Sequence, residues 1–466
     1  MGKNVKTKKL GGKIWFNLIL FGLMGQIAWN VENVYFNTFL CNFIYGNASG
    51  SAVSNSISVT NAVAWMVALS AVTAVVTSFI MGNLSDKKNN RRLFISAGYI
   101  LWGIVTGCFG FVSLDNTSKY FHLSDEAVIL TTTVWLIIAL DCLMTFMGST
   151  SNDSAFNAWV TDVTDVTNRT NVETVFAVLP VLAMGIVLAV GGAAVTKLGY
   201  PAFFFSLGAF VTVCGIIGLF TIKDVPKEKE QTDSNYWQDI IYGFRPSVIK
   251  ENSRLYLTLA SVCVYSIAFQ VFFPYLIVYL QHSSIAAGEN FSSLLTPLRL
   301  TVLIAEVILT LLFFVFFLKN VNRFGKPAFL IPAAAVYSIG LVMLYFVHDL
   351  YPFIIIALPV VIGYGLLGIM LNAVIRDFTP ESKAGLFQGV RMIFFVMIPM
   401  VVGPRLSVLA AKNSDVTYIN DIGAVNVLPS STMFLIAGIS AALIFIPMLI
   451  LIKKGLVPEK ENSDEK

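Results

Sequence analysis

Apolar runs of about 20 residues or more, the length a helix needs to cross about 30 Å of hydrocarbon, recur along the whole chain between short polar segments. The pattern predicts twelve membrane spans, at 14–42, 57–82, 93–112, 129–157, 172–196, 200–222, 255–280, 293–318, 327–347, 351–376, 384–410 and 431–452. Within such runs every polar residue matters, because an amide or carboxylate left in hydrocarbon without a partner costs several kcal/mol.

The pattern repeats. Asn157-Ala158-x-Val160-x-Asp162-x-Thr164 returns as Asn372-Ala373-x-Ile375-x-Asp377-x-Thr379, a shift of 215 residues. Each copy closes an apolar run, the fourth and the tenth, and so marks an internal repeat of six helices. An even period gives both halves the same orientation, related by an axis along the membrane normal. The expected organisation is a cytoplasmic segment 1–13, a bundle 14–222, a linker 223–254, a bundle 255–452 and a tail 453–466. Trp237, Ile240, Ile241, Phe244 and Val248 give the linker one apolar face, which predicts a short helix on the inner membrane surface.

Composition agrees with this reading. A chain that is 56% hydrophobic and only 12% charged is too apolar for a soluble protein of 466 residues. Of the 31 Lys and Arg, only Lys119, Lys197 and Lys412 fall in predicted outer loops, so the positive-inside rule places both termini in the cytoplasm. The net charge of +4 follows from this topology and indicates no nucleic-acid partner. The first apolar run is too long for a signal-peptide core. The five cysteines lie at unrelated spacings inside spans and suggest neither a disulfide framework nor a metal site.

The polar residues inside the spans supply the candidate chemistry. Gln26, Asn30, Asn33 and Asn37 share one stripe of the first helix beside Trp29, and this stripe either lines a cavity or knits helices together. Glu32 points elsewhere. Asp141, Thr145, Gly148 and Asn152 share a face of the fourth span, followed by Asp153. In the fifth, Gly185, Ala189 and Ala193 form a small-residue face suited to close helix contact. The seventh gathers Tyr265, Gln270, Phe272, Phe273, Pro274, Tyr275 and Tyr279, and Pro274 predicts a break there; its aromatic rings suit either a sugar pocket or packing. Arg299 and Glu306 lie in the eighth span, Arg391 and Arg405 in the eleventh. Seven unpaired charges inside spans would cost roughly 20 kcal/mol on insertion scales, more than the roughly 5–15 kcal/mol by which folded proteins are stable. They must pair, neutralise or face water. Gly363-x-Gly365-x-x-Gly368 matches a dinucleotide fingerprint only formally, since it lies inside an apolar run with no strand before it.

Two motifs carry a family resemblance. Gly82-x-x-x-Asp86 followed by Lys87, Lys88, Arg91 and Arg92 resembles the signature between helices 2 and 3 of the major facilitator superfamily, with Asn89 and Asn90 where a glycine is usual. Asp153-Ser-Ala-Phe156-Asn-Ala158-Trp-Val160, with Asp162 and Arg169, resembles the helix 4 motif of the glycoside-pentoside-hexuronide:cation symporters, the melibiose permease family; Ala155 replaces its usual proline, and its helix 2 acids are missing. The resemblance implies an all-α fold of two six-helix bundles. It implies an inner gate in which Asp86, Arg91 and Arg92 meet Asp162, Arg169 and the repeat residue Asp377, and a cation ligand at Asp153.

The expected function is cation-coupled symport of a sugar or glycoside by alternating access, with protons favoured over sodium, by a monomer in the plasma membrane of a bacterium. Gln26, Trp29, Asn30, Asn33, Asp141, Gln270 and Tyr275 are the candidate substrate contacts; Asp153, Glu306, Arg299 and Arg391 are the candidate coupling residues. The alternative is a proton-coupled exporter of amphipathic compounds. A membrane enzyme or sensor is less favoured, because no nucleophile–base or metal-ligand cluster is visible and His122, His282 and His348 lie in or beside outer loops. No cofactor is expected; the expected partners are a small solute, a coupling cation and membrane lipid.

Overall fold

The computed structural model describes residues 10–88, 90–164, 169–224, 243–283, 327–379, 384–412, 414–420 and 423–455, with isolated positions between 305 and 316. The eighth span, with Arg299 and Glu306, lies outside these residues apart from those positions, as does most of the linker. Of the linker, a short helix at Pro246–Glu251 is described.

Among the described residues, nine helical stretches are long and apolar enough to cross a membrane. They coincide closely with the predicted runs: Gly12–Asn47, Val59–Met81, Arg91–Phe111, Glu126–Val163, Ser253–His282, Leu350–Ile375, Gly389–Ala411 and Thr432–Lys454 each match one. The ninth, Val178–Thr221, holds two. Gly199, at φ 79°, turns the chain sharply there and divides it at the predicted loop between the fifth and sixth spans; the missing Cβ makes that backbone conformation accessible. A shorter apolar helix, Phe329–Tyr345, is the ninth predicted span. The result is the expected all-α membrane fold of the major facilitator type.

The chain forms two compact units, residues 1–232 with 419–426 and residues 233–418 with 427–466. In the first unit the third and sixth spans pack tightly. Gly103 and Gly208 meet back to back, and a Cβ built on Gly208 would lie 2.5 Å from the Gly103 carbonyl oxygen. Without a hydrophobic force between helices in lipid, such close backbone approach is what supplies dispersion contact. Trp102, Tyr99, Phe36, Phe109 and Phe204 fill the space around this contact. Asn17 and Thr221 bond reciprocally, the Asn17 amide to the Thr221 carbonyl (3.1 Å) and the Thr221 hydroxyl to Asn17 Oδ1 (2.7 Å).

The expected small-residue contact on the fifth span is displaced by register. Gly185, Ala189 and Ala193 are exposed; the buried face carries Ala183, Val187 and Gly191, and Gly191 packs against the Tyr35 ring. The two sets share one four-residue spacing and differ by two positions, about 200° around the helix, so spacing alone does not say which of them faces the protein.

A two-stranded hairpin, β1 (Thr417–Ile419) and β2 (Val425–Val427), follows the eleventh span and was not foreseen from the sequence. Its tip belongs to the first unit. There Asn420 donates to the carbonyls of Tyr45 (3.0 Å) and Ala48 (2.6 Å) and accepts from the Ala424 amide (2.8 Å).

In the second unit, Pro274 breaks the seventh span as expected: Ser253–Phe272 and Leu276–His282 are joined by a 3₁₀ turn, Phe273–Tyr275. Gly363 of the rejected fingerprint lies in the helix Leu350–Phe378, and its bare face fits against the Ala333 carbonyl and Tyr337.

The Gly103–Gly208 contact generates a prediction. Gly208→Ala should lower the thermal stability of the detergent-purified protein by roughly 1–3 kcal/mol through overpacking, whereas Ser206→Ala on the exposed side of the same helix should change it by less than about 0.5 kcal/mol. Equal melting of Gly208→Ala and the parent would contradict the packing account.

Candidate functional site

Three carboxylates come together in the first unit. The first span leaves α-helical geometry at Glu32, where Glu32–Phe36 wind as a π-helix, and the fourth does the same over Ser149–Phe156. Widened turns of this kind re-aim side chains and leave backbone groups less rigidly committed, which is why they recur at functional sites. Glu32 Oε1 accepts from the Ser70 hydroxyl of the second span (2.7 Å) and, at 3.4 Å, from the Thr145 hydroxyl of the fourth. Those two hydroxyls also bond each other at 2.8 Å. Asp141, one turn before Thr145 and only 1% exposed, faces Ser70 and Glu32. Asp153 accepts from Ser149 at 2.9 Å and lies close enough to Glu32 for the two charges to interact.

The environment of these acids is hydroxylic, not basic. Among the described residues, the side chains that hydrogen-bond to the three acids are the hydroxyls of Ser70, Thr145 and Ser149. Glu32 Oε2 and Asp141 Oδ1 are buried with no hydrogen-bond partner. An ionised oxygen left so in a low-dielectric setting is costly, because neither water nor a dipole compensates its charge.

Around this cluster the fourth span is held firmly. Asn152 donates to the Tyr99 hydroxyl (2.6 Å), which donates to the Phe21 carbonyl (2.8 Å). Gly25 lets this happen: a Cβ there would overlap the Asn152 amide, 1.7 Å from its nitrogen. Trp29 packs on Trp102 with ring centroids 5.0 Å apart, and Gly148 fits beneath both indoles.

The amide stripe divides. Gln26 and Asn30 are half-buried and make no side-chain hydrogen bond among the described residues, whereas Asn33 donates to the Trp29 carbonyl (2.8 Å) and Asn37 to the Asn33 carbonyl (2.9 Å). Those two amides fold back on their own helix, while Glu32, which the helical count had set apart, reaches the neighbouring helices. In the second unit Tyr275 is 1% exposed and Tyr265 equally buried, which is packing. The more open aromatic surface is a stack of which the sequence singled out only Phe273: Phe269 lies parallel to Phe273 (4.4 Å) and to Tyr364 (4.6 Å), with half-buried Gln270 next along the helix.

At the ends of the fourth and tenth spans the repeat is visible bond by bond. Asn157 donates to the Asp153 carbonyl and Asn372 to the Gly368 carbonyl; Thr164 donates to the Val160 carbonyl and Thr379 to the Ile375 carbonyl. Each is the bond to the residue four back. The copies differ in charge: Gly368 stands where the first copy has Asp153. Arg391 donates to Asn372 Oδ1 (2.9 Å) and places its guanidinium 5.8 Å from the Phe395 ring centre. Arg91 donates to Asp162 (3.3 Å) and to Ser85, with the two charged side chains 4% and 5% exposed. Arg92 is exposed, and its backbone amide donates to Asp224 (2.8 Å). Asp377 is exposed. The side chains of Asp86 and Arg169 lie outside what is described.

Packed spanning helices that enclose carboxylates and hydroxyls define a multi-pass membrane transporter. The sequence profile of the Major Facilitator Superfamily matches residues 33–404, and the chain belongs to that superfamily. A search of curated protein sequences gives no match. Solved structures with the same fold include the nucleoside transporter NupG (12% identity, TM-score 0.61, covering 94% of this chain and 98% of that one). The xylose transporter XylE from E. coli, inward open, is similar at 13% identity and TM-score 0.65, covering 96% and 97%. A bacterial homologue of the human lysosomal transporter Spinster aligns at 13% and 0.57, covering 95% and 96%. The protein is a transporter, not an enzyme.

The Arg91–Asp162 pair generates a stability prediction. Asp162→Asn should cost about 3–5 kcal/mol, because it leaves a buried guanidinium without its counter-charge, and the double change Arg91→Met with Asp162→Leu should recover much of the loss. Denaturant unfolding in detergent micelles measures both; a single variant as stable as the parent would show that the pair is not electrostatically committed.

Proposed function

We propose that the protein is a cation-coupled secondary transporter that carries a sugar, glycoside or similarly hydroxylated solute by alternating access, with protons as the coupling ion. The observation that carries this reading is the placement of Glu32, Asp141 and Asp153 among spanning helices, with hydroxyls and, among the described residues, no base beside them. A structural ion pair would stay charged throughout a cycle. Acids without a basic partner change charge at modest cost, which is what coupling requires.

Protons are favoured over sodium for a chemical reason. Sodium needs several oxygen ligands at once, and the second span, where the melibiose permease family places acidic ligands, offers Ser70, Thr77 and Ser78 but no carboxylate. A proton needs one carboxyl. The resemblance of the Asp153 motif to that family, and fold neighbours that carry xylose and nucleosides, support a hydroxylated solute. On this reading Gln26, Trp29 and Asn30 supply substrate contacts in the first unit, and within the second Gln270 and the Phe269–Phe273–Tyr364 stack present amide and aromatic surface, since amides bond hydroxyls and aromatic faces stack on sugar rings. Arg91 and Asp162, with Asp86, Arg92, Arg169 and Asp377, form the inner gate. The protein works as a monomer in a bacterial plasma membrane with both termini in the cytoplasm.

Uptake of labelled xylose, uridine and a panel of other sugars and glycosides into vesicles reconstituted with the full-length protein tests the proposal. An inwardly directed proton gradient should drive accumulation of at least one solute, and a proton ionophore should abolish it. Accumulation driven by a sodium gradient at clamped pH would instead make sodium the coupling ion; export of amphipathic dyes with no solute uptake would favour the exporter.

A further inference from the structure

We infer that Glu32 and Asp141 form one proton-binding site, linked by the hydroxyl of Ser70, and that this pair, not Asp153, is the proton-binding group. The inference deepens the cation-coupled reading and rests on it for its role in transport.

Hydroxyl hydrogens are scarce around the pair. Ser70 and Thr145 have one hydroxyl hydrogen each. Ser70 gives its own to Glu32 Oε1 at 2.7 Å, and it is also the hydroxyl that faces Asp141. One hydrogen cannot serve both carboxylates. Thr145 bonds Ser70 at 2.8 Å and reaches Glu32 Oε1 at 3.4 Å, so its hydrogen also ends in this network and supplies nothing to the pair's other oxygens. Two of these, Glu32 Oε2 and Asp141 Oδ1, are buried without a donor among the described residues. If both acids were ionised, two negative charges would share a poorly solvated space with too few donors.

A single added proton eases the shortage by removing one charge and adding one donor. Bound to Asp141, it makes that side chain a donor to Ser70 Oγ, while Ser70 continues to donate to Glu32. Bound to Glu32, it reverses the chain, with Glu32 donating to Ser70 and Ser70 to Asp141. In either arrangement one O–H bond forms, no other bond is made or broken, and the pair's charge falls from two to one. Ser70 is the positioning residue that makes the two arrangements interchangeable.

The surrounding groups permit this. From the second span Ser70 and Thr73 face the pair or its neighbour Cys142; from the fourth come Thr145 and Cys142; from the π-helical turn come Asp153 and Ser149; Tyr99 of the third faces Asp153. None is basic. Asp153 differs from the pair because Ser149 satisfies one of its oxygens and neither is left buried and unpartnered. Nor do the three acids converge on a point: among the described residues, no three acidic, cysteine or histidine side chains are grouped closely enough to hold a metal ion.

Infrared difference spectroscopy of the full-length protein in liposomes, without substrate, tests the site directly. A protonated carboxyl has a C=O stretch distinct from that of a carboxylate, and the parent protein should show such a band disappearing as pH is raised. The Glu32→Gln, Asp141→Asn double variant should lose it, Asp153→Asn should keep it, and Ser70→Ala should shift its frequency. The amides are isosteric, and elution and melting matched to the parent verify folding. A titrating band that persists in the double variant, one lost in Asp153→Asn, or no titrating band in the parent would overturn the assignment. Proton-driven uptake by the parent, measured alongside, separates the two ideas. Coupled uptake with a band that survives the double change overturns only the site, whereas a band confined to the pair without proton-driven uptake supports the site and overturns only the coupling.

Discussion

Hydrocarbon is the constraint from which the rest of this structure follows. It offers no hydrogen bonds, so each crossing segment must satisfy its own backbone, and the helix is the form in which a single segment can do so. Helices so formed gain nothing hydrophobic by touching one another in lipid, and contact depends on close packing and on polar groups that need partners. Both devices are present in the first unit: the bare faces of Gly103 and Gly208 allow backbone contact, and Asn17–Thr221 and Asn152–Tyr99–Phe21 tie helices together through groups that would otherwise lie unsatisfied.

The same constraint gives the acids their meaning. In water, Glu32 or Asp141 would be unremarkable. Between spanning helices each oxygen requires a donor, and two lack one. The network is shorter of donors for a carboxyl pair without a proton than for a pair holding one. A site that is better satisfied when its ion is bound is what a coupled transporter requires, because the ion then changes the energy of the conformations it visits. The Arg91–Asp162 pair is the contrasting case, a buried charge already matched.

The internal repeat shows how such a site arises from a symmetric scaffold. The backbone-directed bonds of Asn157 and Thr164 recur at Asn372 and Thr379, so local geometry is common to both copies. The side chains diverge, with an acid at 153 and glycine at 368, and an arginine bonded to Asn372 in the second copy. Shared backbone geometry thus carries different charge in the two copies.

The sequence by itself determined the membrane class, the position of nearly every described span and the six-helix period, because hydrocarbon imposes a long, uniform signal that needs no knowledge of neighbours. It also placed the break at Pro274, where a missing backbone hydrogen acts locally. Only the tertiary structure decided which polar residues meet. A count at 3.6 residues per turn fails once Glu32–Phe36 and Ser149–Phe156 widen into π-helix; it grouped Asn33 and Asn37 as a shared polar face and set Glu32 aside. The partners Ser70 and Thr145 lie 38 and 113 residues from Glu32, on other helices, so no local pattern could have joined them. Periodicity reports what a helix presents to its surroundings, and the packing of several helices selects which of those groups are buried together.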